Sequence, residues 1–317
     1  MAANASYEKG LHEIGDRVWA WLQPDGGWGW SNAGLLADGE ASLLVDTLFD
    51  LKLTAAMLDG MRAATSAAAS IDVLVNTHAN GDHCYGNQLV RGAEIIASTA
   101  SAEEMEQVPA SVLAGMVAAA PDLGPLGEFV AQIFGSFAFE GIESTPPTRT
   151  FDGALELTVG DRVVRLLELG PAHTAGDVVV HLPDAGVLYT GDLVFNGGHP
   201  VVWAGPVSRW IAACETMLAL EPDVVVPGHG PLADRDVLDV QAGYFRWLLE
   251  EGSPRLRGGM SALDAARDMA GGPYAGWGDG ERLVVNLTAV ARDLGLEPPD
   301  DVTTLFGGMA ELALASR

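Results

Sequence analysis

The chemistry open to this chain rests on imidazoles and carboxylates set among glycine, proline and threonine. Six of the seven histidines lie beyond residue 77. Four of them, His78, His83, His173 and His229, fall in loops that directly follow or precede predicted strands. Asp192 has the same setting in Leu188-Tyr189-Thr190-Gly191-Asp192. Neutral imidazole and carboxylate are the usual ligands of zinc and related divalent ions. A bound ion lowers the pKa of its water to about 7 and supplies hydroxide at neutral pH. Two ions ~3.5–4 Å apart can share a bridging carboxylate. That chemistry needs several histidines and a shared Asp, and both are present. With a single ion, Asp82 beside His83 can act as general base toward the bound water.

These residues must be carried by strand ends. Residues 71–76, Ile-Asp-Val-Leu-Val-Asn, read as a buried strand running into the polar loop 77–87. In layered α/β folds ligands gather at the C-terminal ends of strands. Strands are expected at 17–22, 34–37, 42–46, 155–159, 162–169, 177–182, 187–189 and 223–226. The last of these ends in Pro227-Gly228-His229-Gly230. Helices are expected at 51–68 and at 208–220, the latter capped by Ser208. Residues 101–143, rich in Ala, Met, Phe and Gly, read as a helical insertion that is either a lid or extra core. The tail from about 233 reads as helical.

Composition narrows the class. In 317 residues, 48% apolar content permits a sizeable core, and 43 acidic against 17 basic residues give a net charge of −26. Such a field repels nucleic acid and favours solubility. Lysine occurs only at Lys9 and Lys52. Two cysteines, Cys84 and Cys214, make no disulfide framework, and both read as small buried residues. No basic-then-apolar leader and no apolar run of ~18 residues is present, so a cytoplasmic enzyme with no membrane partner is expected. The segment Gly26 to Asn32 lacks the order of a dinucleotide loop. Ser6-Tyr7-Glu8-Lys9 matches S-x-x-K without its companion motifs and reads as chance.

The ordered set His78-x-Asn80-x-Asp82-His83, His173, Asp192 and His229 resembles the His-x-His-x-Asp-His signature of the metallo-β-lactamase superfamily with its three later ligands. Leu43-Leu44-Val45-Asp46 resembles the family's strand ending in Asp. The resemblance spans roughly residues 18–230. It implies a four-layer αββα sandwich, with a catalytic domain over 1–235 and a helical extension over 236–317 packed on it. Carried over by position, His78 and His173 would bind a first metal. Asp82, His83 and His229 would bind a second, with Asp192 bridging. The family's second histidine falls on Asn80, a neutral and poorer ligand, so Asn80 is a weak ligand or supports one; either the first site holds metal weakly, or Asn80 binds none and the enzyme is a single-metal one centred on the second site. Asp192 stands where many true lactamases of the family carry Cys, which points away from β-lactams. The expected cofactor is zinc, one ion or two, with Mn and Fe as alternatives.

The resemblance implies a hydrolase of a thioester or ester, with metal-bound hydroxide as nucleophile. Its substrate would be a small molecule, linked to coenzyme A or a carrier protein. The segments 26–34 and 46–47 resemble members tied to bacterial aromatic polyketide pathways, so aldol-type cyclisation is the alternative. A non-catalytic binding protein on the same scaffold is a third reading. Trp28, Trp30, Trp203 and His199 are expected to line the substrate pocket, with Phe134, Phe137 and Phe139 from the insertion and Trp210 nearby. His12 and His181 read as non-ligands. Oligomeric state is open.

Overall fold

The computed structural model describes residues 7–315, so Ser6 of the S-x-x-K match lies outside them. Two sheets face each other. The first has seven strands in chain order: β1 (Gly10–Gly15), β2 (Val18–Leu22), β3 (Ala33–Asp38), β4 (Ala41–Val45), β5 (Val73–Val75), β6 (Glu94–Ser98) and β7 (Arg149–Phe151). β1 to β4 pair antiparallel, and β4 to β7 are parallel. The second sheet runs β12 (Val224–His229), β11 (Val187–Phe195), β10 (Val178–Leu182), β9 (Arg162–Glu168) and β8 (Ala154–Val159), with only β11 and β12 parallel.

The strand period of two sorts the layers. In β2, Val18, Ala20 and Leu22 point between the sheets, where they meet Val178, Val180, Tyr189 and Val224. Trp19 and Trp21 point outward and pack with Met57, Leu58 and Met61 of α1 (Leu51–Ala64). The outer face of the second sheet, with Val179, Leu188 and Val225, is covered by α6 (Val207–Leu218) and α7 (Asp236–Arg257). The order is helix, sheet, sheet, helix, as the resemblance implies. Five elements complete the chain through the site region and the insertion: α2 (Gly81–Cys84), α3 (Thr99–Met105), α4 (Ala110–Ala119) and α5 (Gly124–Phe134) in the first half, and α8 (Ala262–Met269) after α7. α9 (Leu283–Asp293) and α10 (Val302–Ala315) follow, and α10 packs against α5 of the insertion.

Several boundaries differ from expectation for identifiable reasons. The first long helix stops at Ala64, because Thr65 is extended (φ −150°) and its hydroxyl caps a short 3₁₀ turn, Ser66–Ala69. α6 begins at Val207, and Ser208 does not cap it; a carboxylate from α9 does, Asp293 Oδ2 accepting from Val207 N at 2.9 Å. β11 continues past Tyr189 to Phe195 through an irregularity at Gly191 (φ +49°). Asp192 therefore lies within a strand and not in a loop. β1, β6 and β7 were not expected. β1 is a glycine-bounded edge strand that carries His12, and β7 is three residues long.

Candidate metal centre

Four strands, one short helix and one strand connection deliver the predicted residues to one place. Asp46 directly follows β4, β5 leads into Thr77 and His78, α2 carries Asp82 and His83, β11 holds Asp192, and β12 ends on His229. The β9–β10 connection brings His173. Side chains here are nearly all buried: 1% exposed for His78 and His173, 0% for His83 and 4% for Asp192, against 13% for Asp82. Asp82 is therefore the carboxylate that solvent reaches.

Each histidine is held by its Nδ1. His83 Nδ1 lies 2.9 Å from Asp46 Oδ2, and His173 Nδ1 lies 2.7 Å from the Val201 carbonyl. His229 Nδ1 lies 3.1 Å from the Gly26 carbonyl. His78 Nδ1 lies 3.0 Å from Thr77 Oγ1, whose hydroxyl donates to Asp46 Oδ2 at 2.7 Å. Acceptors on the Nδ1 side fix the tautomer and leave Nε2 with its lone pair. The four Nε2 atoms face two carboxylates. His83 Nε2 is 3.0 Å from Asp192 Oδ1, while His78, His173 and His229 Nε2 lie 3.8, 3.4 and 3.4 Å from Asp192 Oδ2. His229 Nε2 is 3.3 Å from Asp82 Oδ2.

Among the described residues, three buried atoms in this group, His78 Nε2, His83 Nε2 and Asp192 Oδ1, have no hydrogen-bond partner. A lone pair facing a carboxylate oxygen is costly unless something positive stands between them. Among the described residues two donor sets, His78, His83 and Asp192, and Asp82, His83 and His229, are close enough to hold a metal ion. The residues present therefore fit a divalent cation.

The electrostatics are consistent with a site that wants positive charge. Burial would raise the Asp192 carboxyl, but His229, His83 and His78 hold it well below the ordinary range. Burial opposes charge on His229, yet Asp192 and Asp82 push it up to about 9. His83 is raised against its burial by Asp192, Asp82 and Asp46. His78 is lowered by burial and by His83, and His173 is lowered by burial.

Close backbone approach makes this packing possible. A Cβ on Gly228 would stand 2.0 Å from Asp192 Oδ1, and one on Gly191 2.5 Å from Thr77 Oγ1. The His173 loop is tied by Asp177, which accepts from Ala172 N, Thr174 N and Thr174 Oγ1. Burial pushes that carboxyl up to about 7. Glu104 of α3 accepts from Ala175 N at 3.0 Å, which links the insertion to the same loop.

The remaining predicted residues divide. Asn80 Oδ1 sits 2.7 Å from His173 Nε2. Trp28 and Trp203 meet at 6.3 Å beside the centre, joined by Phe134 and by Phe306 of α10. Trp30 packs on Phe137 at 4.8 Å, and Phe49 touches Phe134, Phe137 and Phe139. Trp203 N donates to the His173 carbonyl, so this aromatic wall adjoins a predicted ligand. Trp210 is fully buried, edge-on to His173. His199 is not in the group. Its Nδ1 is engaged by Tyr244 Oη and its Nε2 by the Tyr274 carbonyl, both from the C-terminal helical part, and burial lowers it to about 4. His12 lies 2.8 Å from the Glu8 carbonyl and His181 on β10, both away from the cluster. Cys84 is buried with its thiol pushed up by burial, and Cys214 is buried in α6.

Sequence reasoning missed the C-terminal contribution. Arg282 is 1% exposed, with its guanidinium 4.4 Å from the Trp28 ring and 5.2 Å from the Phe195 ring. Phe195 stacks on His229 at 5.1 Å, and Glu281 accepts from Trp28 Nε1 at 2.7 Å. No spacing rule marks an arginine 90 residues past Asp192 as a neighbour of the site; only the fold brings it there.

Comparison with known proteins agrees with this geometry. Over 104 residues the chain is 31% identical to the 2,4-dinitroanisole O-demethylase subunit alpha of Nocardioides sp. (strain JS1661), covering 32% of this chain and 31% of that protein. It is 26% identical over 94 residues to an acyl-coenzyme A thioesterase of Bos taurus, covering 28% and 33%. The matches thus span about a third of these relatives' own lengths. In structure it is similar to the stereoselective inverting sec-alkylsulfatase from Pseudomonas sp., with a TM-score of 0.67 at 19% identity, over 92% of this chain and 51% of that one. The sequence profile described as the metallo-beta-lactamase superfamily matches residues 26–229, well over half of the chain and all six predicted ligands, so the chain belongs to the metallo-β-lactamase superfamily.

Proposed function

We propose that the chain is a metal-dependent hydrolase that cleaves a thioester or ester of an apolar acyl group. The observation that carries this reading is the set of Nδ1-anchored histidines whose Nε2 atoms converge on Asp192 and Asp82 with buried atoms left unpartnered. Asp82, His83 and His229, with Asp192, would hold one cation, and His78 is the further nitrogen donor beside Asp192. Zinc is the expected ion from this nitrogen and carboxylate set. A divalent ion held there acidifies water and polarises an acyl carbonyl.

The protein's own groups do the rest. Asp46 and the carbonyls of Gly26 and Val201 keep the imidazoles in one tautomer. Asp82 remains ionised, because His83 and His229 offset its burial. As the least buried carboxylate of the cluster, it orients the attacking water and accepts its proton. The wall of Trp28, Trp203, Phe134 and Phe306 excludes water and receives the acyl part. A relative that is an acyl-coenzyme A thioesterase supports thioester over other esters.

The test is hydrolysis of short and long acyl thioesters by the protein as purified, after chelation, and after zinc is restored. Thiol release that disappears on chelation and returns with zinc is expected. Full activity in chelator would refute the proposal. Ring closure without thiol release would instead favour polyketide cyclisation.

A further inference from the structure

The contact between Asn80 and His173 bears on how many ions the centre holds, and it rests on the metal-dependent reading above. His173 Nδ1 lies 2.7 Å from the Val201 carbonyl, and a carbonyl can only accept. The proton is therefore on Nδ1, and in the neutral ring Nε2 is a bare acceptor. The Asn80 amide stands 2.7 Å from that atom. Two acceptors cannot share that distance without a cation between them, whereas a half-turn of the amide places its NH₂ there as a donor. His173 cannot swing away. Its own carbonyl accepts from Trp203 N and Ala204 N, and Asp177 ties the next residues.

We infer that the Asn80 amide caps His173 and closes the first metal position, so that the chain works with one tightly held ion, in the position formed by Asp82, His83, His229 and Asp192. Counting donors leads to the same point. His83 offers only Nε2, since Nδ1 belongs to Asp46, yet both donor sets of the centre contain it. One nitrogen serves one ion. With His83 on the second position, that ion has Asp82, His83, His229 and Asp192. The first position keeps only His78 and a share of Asp192, which is too few for a tight divalent site. Neither donor set includes His173.

The experiment is titration of the metal-stripped full chain with zinc against a chromophoric chelator, for wild type and Asn80→His. Expected are one tight equivalent in the wild type, with any second weaker by roughly 100-fold, and two tight equivalents in N80H. Two comparable equivalents in the wild type would overturn the proposal and leave the hydrolase reading intact. One equivalent in both chains would overturn it too, by removing Asn80 as the cause. No binding in either would defeat the metal-dependent reading itself, and this proposal with it. Should N80H fail to fold, the histidine nitrogen NMR of the wild type decides. His173 should stay an Nδ1–H tautomer with Nε2 hydrogen-bonded after the first equivalent; a metal-shifted His173 Nε2 at that point would contradict the capping.

Discussion

His83 Nδ1 lies 2.9 Å from Asp46 Oδ2, and the same carboxylate accepts from both the backbone N–H and the hydroxyl of Thr77. One buried Asp at the end of β4, itself at φ +61°, thus sets the orientation of His83 directly and of His78 through Thr77. Asp46→Asn keeps the shape and removes the charge that holds His83 as an Nδ1–H donor. Its zinc affinity, measured by chelator competition, should fall about 10–100-fold. An unchanged affinity would mean that Asp46 does not orient the ligands.

Stability of the metal-free protein should depend on pH in a defined window. His229 is raised to about 9, with burial opposing the charge and Asp192 and Asp82 favouring it. A histidine raised on folding stabilises the fold while it is protonated. Its contribution is full below the unfolded value near 6.5 and is lost as pH rises through about 9. His83 acts in the same direction. Metal-stripped protein should therefore be less stable at pH 9 than at pH 6.5 by on the order of 2–3 kcal/mol, read as a lower melting temperature. Zinc should flatten the decline, because it takes the place of those protons. Flat stability in the stripped protein would contradict the arrangement.

Arg282 ties the C-terminal part to the centre. It pairs with Asp279 at 3.1 Å, donates to the His199 carbonyl, and stands over Trp28 and Phe195. Arg282→Met leaves Asp279 and that carbonyl without their partner and should cost about 3–5 kcal/mol in chemical denaturation. It should also weaken zinc binding, since Phe195 stacks on His229 and Gly26, two residues before Trp28, holds the His229 ring. Arg282→Lys should not restore the affinity, because an ammonium cannot reproduce the planar fork. Full recovery with Lys would show that charge alone matters.

The aromatic wall makes a kinetic prediction. Phe306→Ala and Trp203→Ala each remove a ring of the stacked pair, whose centroids are 6.4 Å apart. KM for long or aromatic acyl thioesters should rise about five- to tenfold, for the loss of about 1–1.4 kcal/mol of apolar contact, with kcat less affected. Equal effects on acetyl and long-chain substrates would remove the wall from the substrate site.

The ligand cluster was legible in the sequence because strand ends force their loops together. His78 and His229 sit at or just past strand ends, His173 lies in a strand connection and Asp82 and His83 on the short helix after β5, and the strands Val73–Val75 and Val224–Val226 are marked by apolar runs; Asp192 was found by its motif although it lies within β11. Asp46 was marked by its place after Leu43-Leu44-Val45. The role of Asn80 was legible as a change of ligand type, but its contact with His173, 93 residues away, was not. His199 was misplaced because proximity in sequence to Asp192 says nothing about direction. Its ring turns into the C-terminal core, where Tyr244 and Tyr274 take both nitrogens. Arg282 and Phe306 carried no local signal, since a helical tail has no strand period to fix which residues face the site.

The most direct measurement is divalent metal per chain by elemental analysis, for wild type and Asp192→Ala purified alike. Asp192 faces all four Nε2 atoms. Wild type should carry stoichiometric ion and the variant should lose most of it. Equal metal content in the two chains, or none in the wild type, would contradict the account.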